Sequence, residues 1–273
     1  MILGYRQKGL SLLELLVAMA ISSFLILGVT QIYLDNRRSY SFQQNLSENQ
    51  ESSRYIQLML HQHLTKAGYR REPYIDPELI FPSTNVFNEC NFSKGQTVVG
   101  NGSFLCIRYQ PRDTKDRNCL GNSPRNSSDI AAPYKTSNIE IIIERYYLTN
   151  NSLSCQVIHT DGSGATLENS SGSAELIRGL LDLHFEFGLG SDADTRSVHK
   201  YVTSPSGTDT ILAVRYSILL RSTNTRLRDA VDFETAIANW KTLTGVSDTD
   251  ITDDNGQLYQ VTQRTVSLRN LLP

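Results

Sequence analysis

From Leu15 to Leu34 the chain carries no charged residue, and the residue just before that run is a glutamate, Glu14. Twenty residues at helical rise span roughly 30 Å, the thickness of a bilayer's hydrocarbon core. The interruptions are mild: Ser22, Ser23, Gly28, Thr30 and Gln31. Hydroxyls of this kind bond back to the preceding turn, so a lipid-exposed helix tolerates them. Arg6 and Lys8 precede the run and favour an N-terminus in the cytoplasm, although Asp35, Arg37 and Arg38 after it keep the bias modest. A segment like this cannot be a surface element of a globular domain, so the rest of the chain is expected beyond a membrane.

Glu14 sharpens the reading. A charged group at membrane depth costs about 2.5–3.5 kcal/mol on insertion scales and needs a partner. A cleaved secretory signal would show a small-x-small site after the apolar run. The chain instead runs directly into Asp35-Asn36-Arg37-Arg38. A plain signal anchor leaves Glu14 unexplained. Cleavage between Gly9 and Leu10 would create a new α-amine on Leu10. That amine and Glu14 are poorly placed to pair within one helix, but they can meet between staggered helices. In a low dielectric such a pair is far stronger than at a surface. A lone carboxylate would then fix the axial stagger of neighbours, as a buried polar residue fixes coiled-coil register.

The stretch Lys8-Gly9-Leu10-Ser11-Leu12-Leu13-Glu14-Leu15-Leu16-Val17-Ala18 resembles the processing signal of type IV pilins and type II secretion pseudopilins. The resemblance implies that a prepilin peptidase cuts after Gly9 and methylates Leu10, and that Glu14 is the fifth-position glutamate of the mature chain. Leu10 departs from the phenylalanine usual in the family at that position.

The chain has 273 residues and a net charge of −2, which becomes −4 if Arg6 and Lys8 leave with a leader. Bulk charge therefore does not suggest nucleic-acid binding. Four cysteines, Cys90, Cys106, Cys119 and Cys155, all follow the apolar run. An even count in an oxidising compartment favours two disulfides. Three connectivities are open; order along successive β segments favours Cys90–Cys106 and Cys119–Cys155. No C-x-x-C spacing points to zinc or redox chemistry.

Beyond Leu34 the helical pattern continues, with Tyr40, Phe42, Leu46, Tyr55, Met59, Leu60, Leu64 and Ala67 expected on one buried face. Gly68 is the expected stop, followed by Pro73 and Pro77. A separate second helix near Asp35–Ser39, or a flexible point at Gly28, is the alternative. Residues 69–103 read as irregular. Strand patterns follow at Phe104–Tyr109, Ile139–Leu148, Leu153–His159, Leu181–Phe187, Leu212–Leu220 and Tyr259–Leu268, with Asn150-Asn151 as a turn. Leu181, Leu183, Phe185 and Phe187 are the expected inward set of one strand, with His184 facing solvent. Residues 233–243 read as a short helix, N-capped by Asp232, with Ile237, Trp240 and Leu243 inward.

The fold class expected is α+β, with a long N-terminal helix on an antiparallel sheet. The expected division is a leader at 1–9, a membrane or filament-core helix at 10–34, its amphipathic continuation at 35–68, and a disulfide-bonded β-rich domain at 69–273. Further stretches, including Ala67-Gly68-Tyr69-Arg70, Asn118-Cys119-Leu120-Gly121, Leu180 through Gly188 and Val266-Ser267-Leu268-Arg269-Asn270, look like PilW-type minor pilins. That resemblance implies a low-abundance, inner-membrane subunit with a periplasmic head that helps initiate type IV pili near the tip. The partners it implies are other minor pilins, the major pilin, prepilin peptidase, the inner-membrane assembly platform and a tip adhesin. A type II secretion pseudopilin is the neighbouring alternative. A membrane-anchored periplasmic enzyme or binding protein is the alternative of another class.

No catalytic motif stands out, and no cofactor is expected. His61 and His63, two apart on a helix, do not share a face for a metal. Asp192-Ala193-Asp194 and the run holding Asp248, Asp250 and Asp253 have closely spaced oxygens suited to calcium. Neither has the full EF-hand order, and solvated turns are the favoured reading. Arg215, Arg221, Arg226 and Arg228 could form a basic stripe, but Asp229, Asp232 and Glu234 lie beside it, so a solvated strand edge is preferred.

Overall fold

The computed structural model describes residues 11–125, 130–131, 140–191, 196–227, 233–245 and 254–271, with the backbone alone for 233–236. Gly9 and Leu10 lie outside these residues, as do Asp192, Asp194, Arg228, Asp232, Asp248, Asp250 and Asp253.

Helix α1 runs unbroken from Leu12 to Leu64, 53 residues, with no interruption at Gly28 or at Asp35–Ser39. Thr30 Oγ1 donates to the Ile26 carbonyl at 2.7 Å and Ser23 Oγ to the Ala20 carbonyl at 2.8 Å, so these two hydroxyls are satisfied within the helix. The helix stops at Leu64 and Thr65, earlier than Gly68. Its last carbonyls are closed by the turn that follows, His63 O by Lys66 N and Leu64 O by Ala67 N, and a distant residue closes that turn: the Asn270 amide donates to Thr65 O at 2.8 Å and Ala67 O at 3.1 Å. Gly68 has φ +72° and donates to Arg108 O, and a Cβ there would lie 2.4 Å from Leu271 Cδ2. It is needed for close approach rather than as the helix stop.

The buried stripe of α1 differs from the expected one. Asn45, Asn49, Ser53, Ile56, Met59, Leu60, His63 and Leu64 face the domain. Tyr40 is 70% exposed and Tyr55 51%, and Phe42 and Leu46 are also exposed. The stripe follows the i, i+4 and i, i+3 rows from Asn45 through Leu64. Polar residues occupy its lower part because backbone and hydroxyl partners wait there: Asn49 Nδ2 donates to Leu258 O at 3.2 Å, and Ser53 Oγ meets Thr262 Oγ1 at 2.7 Å.

Past α1, a one-turn helix α2 (Pro77–Ile80) precedes a small hairpin, β1 (Thr84–Val86) with β2 (Cys90–Phe92). The region read as irregular thus contains three short strands, counting β3 (Val98–Asn101). They are too brief for an alternating pattern to register. A five-stranded antiparallel sheet has the order β3-β4-β5-β6-β7, with β4 (Phe104–Tyr109), β5 (Ile141–Thr149), β6 (Ser152–Thr160) and β7 (Gly172–Arg178). Asn150 and Asn151, at φ +49° and +55°, make the two-residue β5–β6 turn, as left-handed asparagines do in primed hairpin turns. A four-stranded sheet has the order β11-β10-β8-β9, with β8 (Leu180–Leu189), β9 (Lys200–Val202), β10 (Ile211–Arg221) and β11 (Tyr259–Ser267). Helix α3 (Phe233–Thr244) joins β10 to β11 in sequence. β7 and β9 escape the sequence reading because both are edge strands of exposed and half-buried residues with no apolar alternation.

One hydrophobic core joins α1 to both sheets, uniting Ile56, Leu60 and Leu64 with Leu105, Ile107, Phe185, Phe187, Val214 and Ile218. A second, smaller core of Phe81, Phe92, Val99, Ile141 and Ile143 lies on the other face of the five-stranded sheet. β4 and β5 are therefore buried on both faces, which explains their nearly continuous apolar sequence. Disulfide Cys90–Cys106 ties β2 to β4 within the second core, and Cys119–Cys155 ties the loop after β4 to β6. Closing loops of 16 and 36 residues restricts the unfolded chain, by about 3 kcal/mol or more each.

Four further readings need correction. The β8–β10 pairing shifts register between Leu219 and Leu220, so Leu180 pairs with Leu220 and takes the core position; Leu181 is only half-buried. His184 is buried against Gly102, with its ring 2.9 Å from where a Cβ would stand. In α3, Ile237 and Trp240 point inward as expected, but Leu243 is 40% exposed. Finally, β10 is an inner strand, and Arg215 is bound by Glu186 at 2.5 and 2.7 Å rather than solvated at an edge.

Candidate assembly site

The N-terminal end of α1 is a closed capping box. Ser11 is the N-cap in extended conformation, and its Oγ accepts from Leu13 N at 3.2 Å. Glu14 Oε2 accepts from Ser11 N at 3.0 Å. Glu14 therefore has a neutral partner within its own chain, which the sequence reading did not anticipate. A carboxylate at a helix N-terminus is further favoured by the helix dipole. No ion pair to it forms among the described residues. The capping bond holds the side chain at the helix tip instead of along the apolar flank.

Every residue from Ser11 to Tyr40 is exposed, including Leu12, Phe24 and Ile26, and none of the apolar run packs inside the protein. This is far more contiguous apolar surface than a soluble monomer leaves uncovered. The upper half of the same helix is fixed firmly to the domain. Around His63 the attachment is electrostatic. Glu144, on β5, is fully buried, and its carboxylate lies 3.0 Å from His63 Nδ1. Tyr109 Oη donates to it at 2.7 Å, Tyr146 Oη at 2.6 Å and Cys119 N at 2.9 Å. Burial opposes ionisation of Glu144, but the His63 charge and the tyrosine hydroxyls outweigh it and hold the carboxyl down at about 2. Burial, and then the Glu144 charge, push both tyrosines well above the usual phenol range. Beside this group Lys66 reaches Asp116 at 2.7 Å and the Arg117 carbonyl at 2.6 Å, over the Tyr109 ring.

On the opposite face of the sheet Arg108 is fully buried. It donates to the carbonyls of Gln96 at 2.6 Å, Pro82 at 2.5 Å and Ser93 at 2.8 Å, and stacks against Phe81 and Phe92. Burial lowers its guanidinium to about 9, still charged at neutral pH. It organises the β1–β3 region through backbone carbonyls and two aromatic rings.

Sequence reasoning missed both Glu144 and Arg108. The signal was present: each is a charge inside an apolar strand run, the same kind of signal that singled out Glu14. Of the residues named from sequence, the structure places Glu14 at the helix tip and pairs the four cysteines. It does not bring His61 and His63 together with acids as a metal site; among the described residues no group of three or more metal-ligating side chains forms. The acidic calcium candidates lie outside the described residues.

Two family models match the chain. One, described as the type IV pilus-assembly protein W family, covers residues 143–270, from β5 to the terminal turn. The other, the prokaryotic N-terminal methylation motif, covers residues 4–30 and so contains Gly9, Leu10 and Glu14. No curated protein matches in sequence at a significant level. Among solved structures, a type IV-like pilin from Thermus thermophilus, TTHA1219, matches at 12% identity, with 84% of this chain and 97% of that one covered and a TM-score of 0.43. A chain of the GspK-GspI-GspJ complex of the type 2 secretion system from enterotoxigenic Escherichia coli matches at 11% identity, covering 78% and 96%, with a TM-score of 0.35. With the methylation motif at its head and the pilus-assembly domain over its second half, the chain is a type IV pilin-like protein of the PilW type, a minor pilin of pilus assembly.

Proposed function

We propose that this minor pilin is cut between Gly9 and Leu10 by prepilin peptidase, methylated on Leu10, and inserted in the inner membrane with its head in the periplasm. Residues 1–9 are then the leader, 10–34 the segment that moves from bilayer to filament core, 35–68 its docked continuation, and 69–273 the head. During assembly the Glu14 carboxylate exchanges the Ser11 amide, or shares it, with the N-terminal ammonium of a neighbouring pilin. The assembly platform, the major pilin and a tip adhesin are its partners in initiating filaments near the tip. The observation that supports this reading best is the single rigid helix whose exposed apolar half ends in Glu14 while its other half is locked into the head. Such a subunit cannot reach a low energy alone in water and has a charged key at the end of its apolar surface.

N-terminal mass spectrometry of the membrane-extracted protein tests the processing. The expected mass begins at methylated Leu10, and Gly9→Leu leaves the longer precursor. A wild-type chain that still begins at Met1 refutes the assignment.

A further inference from the structure

The lower end of the head leaves a cleft of about 790 Å³ against α1, lined by Leu34, Arg37, Arg38, Ser41, Arg226 and Asp254 among others. We propose that this cleft binds the phosphate headgroup of an anionic phospholipid while the subunit is still in the membrane, a reading that rests on the membrane-anchored function above. Among the described residues that line it are three arginines and one acid, Asp254, and none of the three arginines makes an ion pair among the described residues. Buried or half-buried arginines elsewhere in the head are held by specific acceptors, Arg215 by Glu186, Arg145 by Glu89 and Arg108 by backbone carbonyls. Asp254 turns Oδ1 inward, accepting from Gly256 N at 3.2 Å and Tyr259 Oη at 3.1 Å.

Arg226 is placed, not merely present. Its backbone takes φ +57°, a left-handed conformation that costs a non-glycine residue on the order of 1 kcal/mol. Two bonds to the facing turn hold it, Arg226 N to Asn255 O at 2.7 Å and Leu227 N to Gly256 O at 2.8 Å. Asn224 N donates to Asn45 Oδ1 at 3.4 Å, which ties the same loop to α1. The loop thereby carries a third arginine to the two on the helix.

Depth supplies the second argument. If Leu15–Leu34 spans the hydrocarbon core, Arg37 and Arg38 sit about 4.5–6 Å beyond its edge. The headgroup layer on each side of a bilayer is about 5–7 Å thick. The two helix arginines therefore stand at phosphate depth, with Arg226 lining the same cleft, and Leu34, also in its lining, lies at the edge of the hydrocarbon core. Guanidinium groups suit phosphate oxygens through paired N–H donors. On entering a filament the subunit would give the lipid up, and the same arginines would become available to neighbouring pilins.

Native mass spectrometry of the full-length processed protein in a neutral detergent tests this, with phosphatidylglycerol, the matching diacylglycerol and inorganic phosphate as separate titrants. The expected result is a phosphatidylglycerol adduct much stronger than that of diacylglycerol, with inorganic phosphate alone failing to saturate the site. Each cation near a membrane surface is worth about fivefold in affinity, so the Arg37→Gln/Arg38→Gln/Arg226→Gln variant should lose on the order of 100-fold. Lys115→Gln, at the opposite end of the head, should bind as wild type. Equal binding by the triple variant, equal binding of diacylglycerol, or saturation by inorganic phosphate overturns the proposal. Unchanged lipid binding together with lost pilus incorporation in the triple variant also overturns it, in favour of a protein contact. The same spectra report the N-terminal residue: a mass beginning at Leu10 with no selective lipid refutes the cleft alone, and a mass beginning at Met1 refutes the processing.

Discussion

The two halves of α1 invert the ordinary rule of a water-soluble helix. Below Tyr40 the helix is apolar and wholly exposed; above it, the face turned to the head begins with Asn45, Asn49 and Ser53 and becomes apolar only at Ile56, Leu60 and Leu64. A folded monomer normally hides its apolar surface first. Here the largest apolar surface is left for other chains or for lipid, and the joint with the head starts with hydrogen bonds to Leu258 O and Thr262 Oγ1. One helix thus serves two solvents. The same chain property, a carboxylate in apolar surroundings, appears in both halves with opposite solutions. Glu14 has no cation beside it among the described residues, and Glu144 is surrounded by His63, Tyr109 and Tyr146.

The sharpest break of this comparison is at Glu14. Glu14→Ala should reduce recovery in sheared pili by an order of magnitude or more, since a mispaired charge at membrane depth is worth about 2.5–3.5 kcal/mol. Thermal unfolding of the head should not move, because Glu14 is exposed on a stretch of α1 that does not pack on the head. Pili recovered at the wild-type level from the mutant would break the assembly role.

Glu144→Ala should act in the reverse sense, destabilising the head by about 3–5 kcal/mol by leaving His63 and two tyrosine hydroxyls buried without their partner. Its pH dependence has a definite sign. The folded carboxyl, at about 2, lies below the unfolded value of about 4.3. Its contribution is therefore fully present above about 4.3 and disappears as the pH falls towards 2. Denaturant midpoints measured from pH 5 down to pH 2 should fall more steeply in the wild type than in Glu144→Ala. Parallel curves would show that the buried pair does not support the helix–head joint.

Much of this was legible from the residues alone where a single strong signal dominates. The charge-free run Leu15–Leu34, the alternation in β8 and β10, and the Asn150-Asn151 turn each have one physical explanation, and the elements stand where those signals place them. The failures came where tertiary partners decide. Nothing local tells Asn49 from Tyr55 as the inward residue of α1; that depends on Leu258 and Thr262, some 209 residues away in both cases. The β1–β3 region read as irregular because its order comes from a buried arginine bonding to carbonyls and from Cys90–Cys106. Leu181 was misplaced by a bulge that only its pairing with β10 reveals. For the site, the spacing of Gly9, Leu10 and Glu14 was readable, but the Ser11 capping bond that pre-positions Glu14 was not, although Ser11 and Glu14 have the capping-box spacing.

The smallest expected effects test the least intuitive part of the comparison, that a serine and not a tyrosine faces the head. Ser53→Ala removes one hydroxyl–hydroxyl bond and leaves Thr262 Oγ1 and Gln57 Nε2 short of a partner, so it should cost about 1 kcal/mol in chemical denaturation of the head. Tyr55→Ser removes a large aromatic ring, yet that ring is half in solvent and lies on the side of α1 turned from the sheets, so the loss should stay within about 0.5 kcal/mol. Size and hydrophobicity alone would order the two substitutions the other way. If Tyr55→Ser proves the more damaging in the isolated subunit, the helix is rotated on the head relative to the arrangement described, and Tyr40 and Leu46 would belong to the core. If instead Tyr55→Ser leaves the subunit stable but weakens filament incorporation, the exposed ring belongs to the surface that the helix keeps for its neighbours.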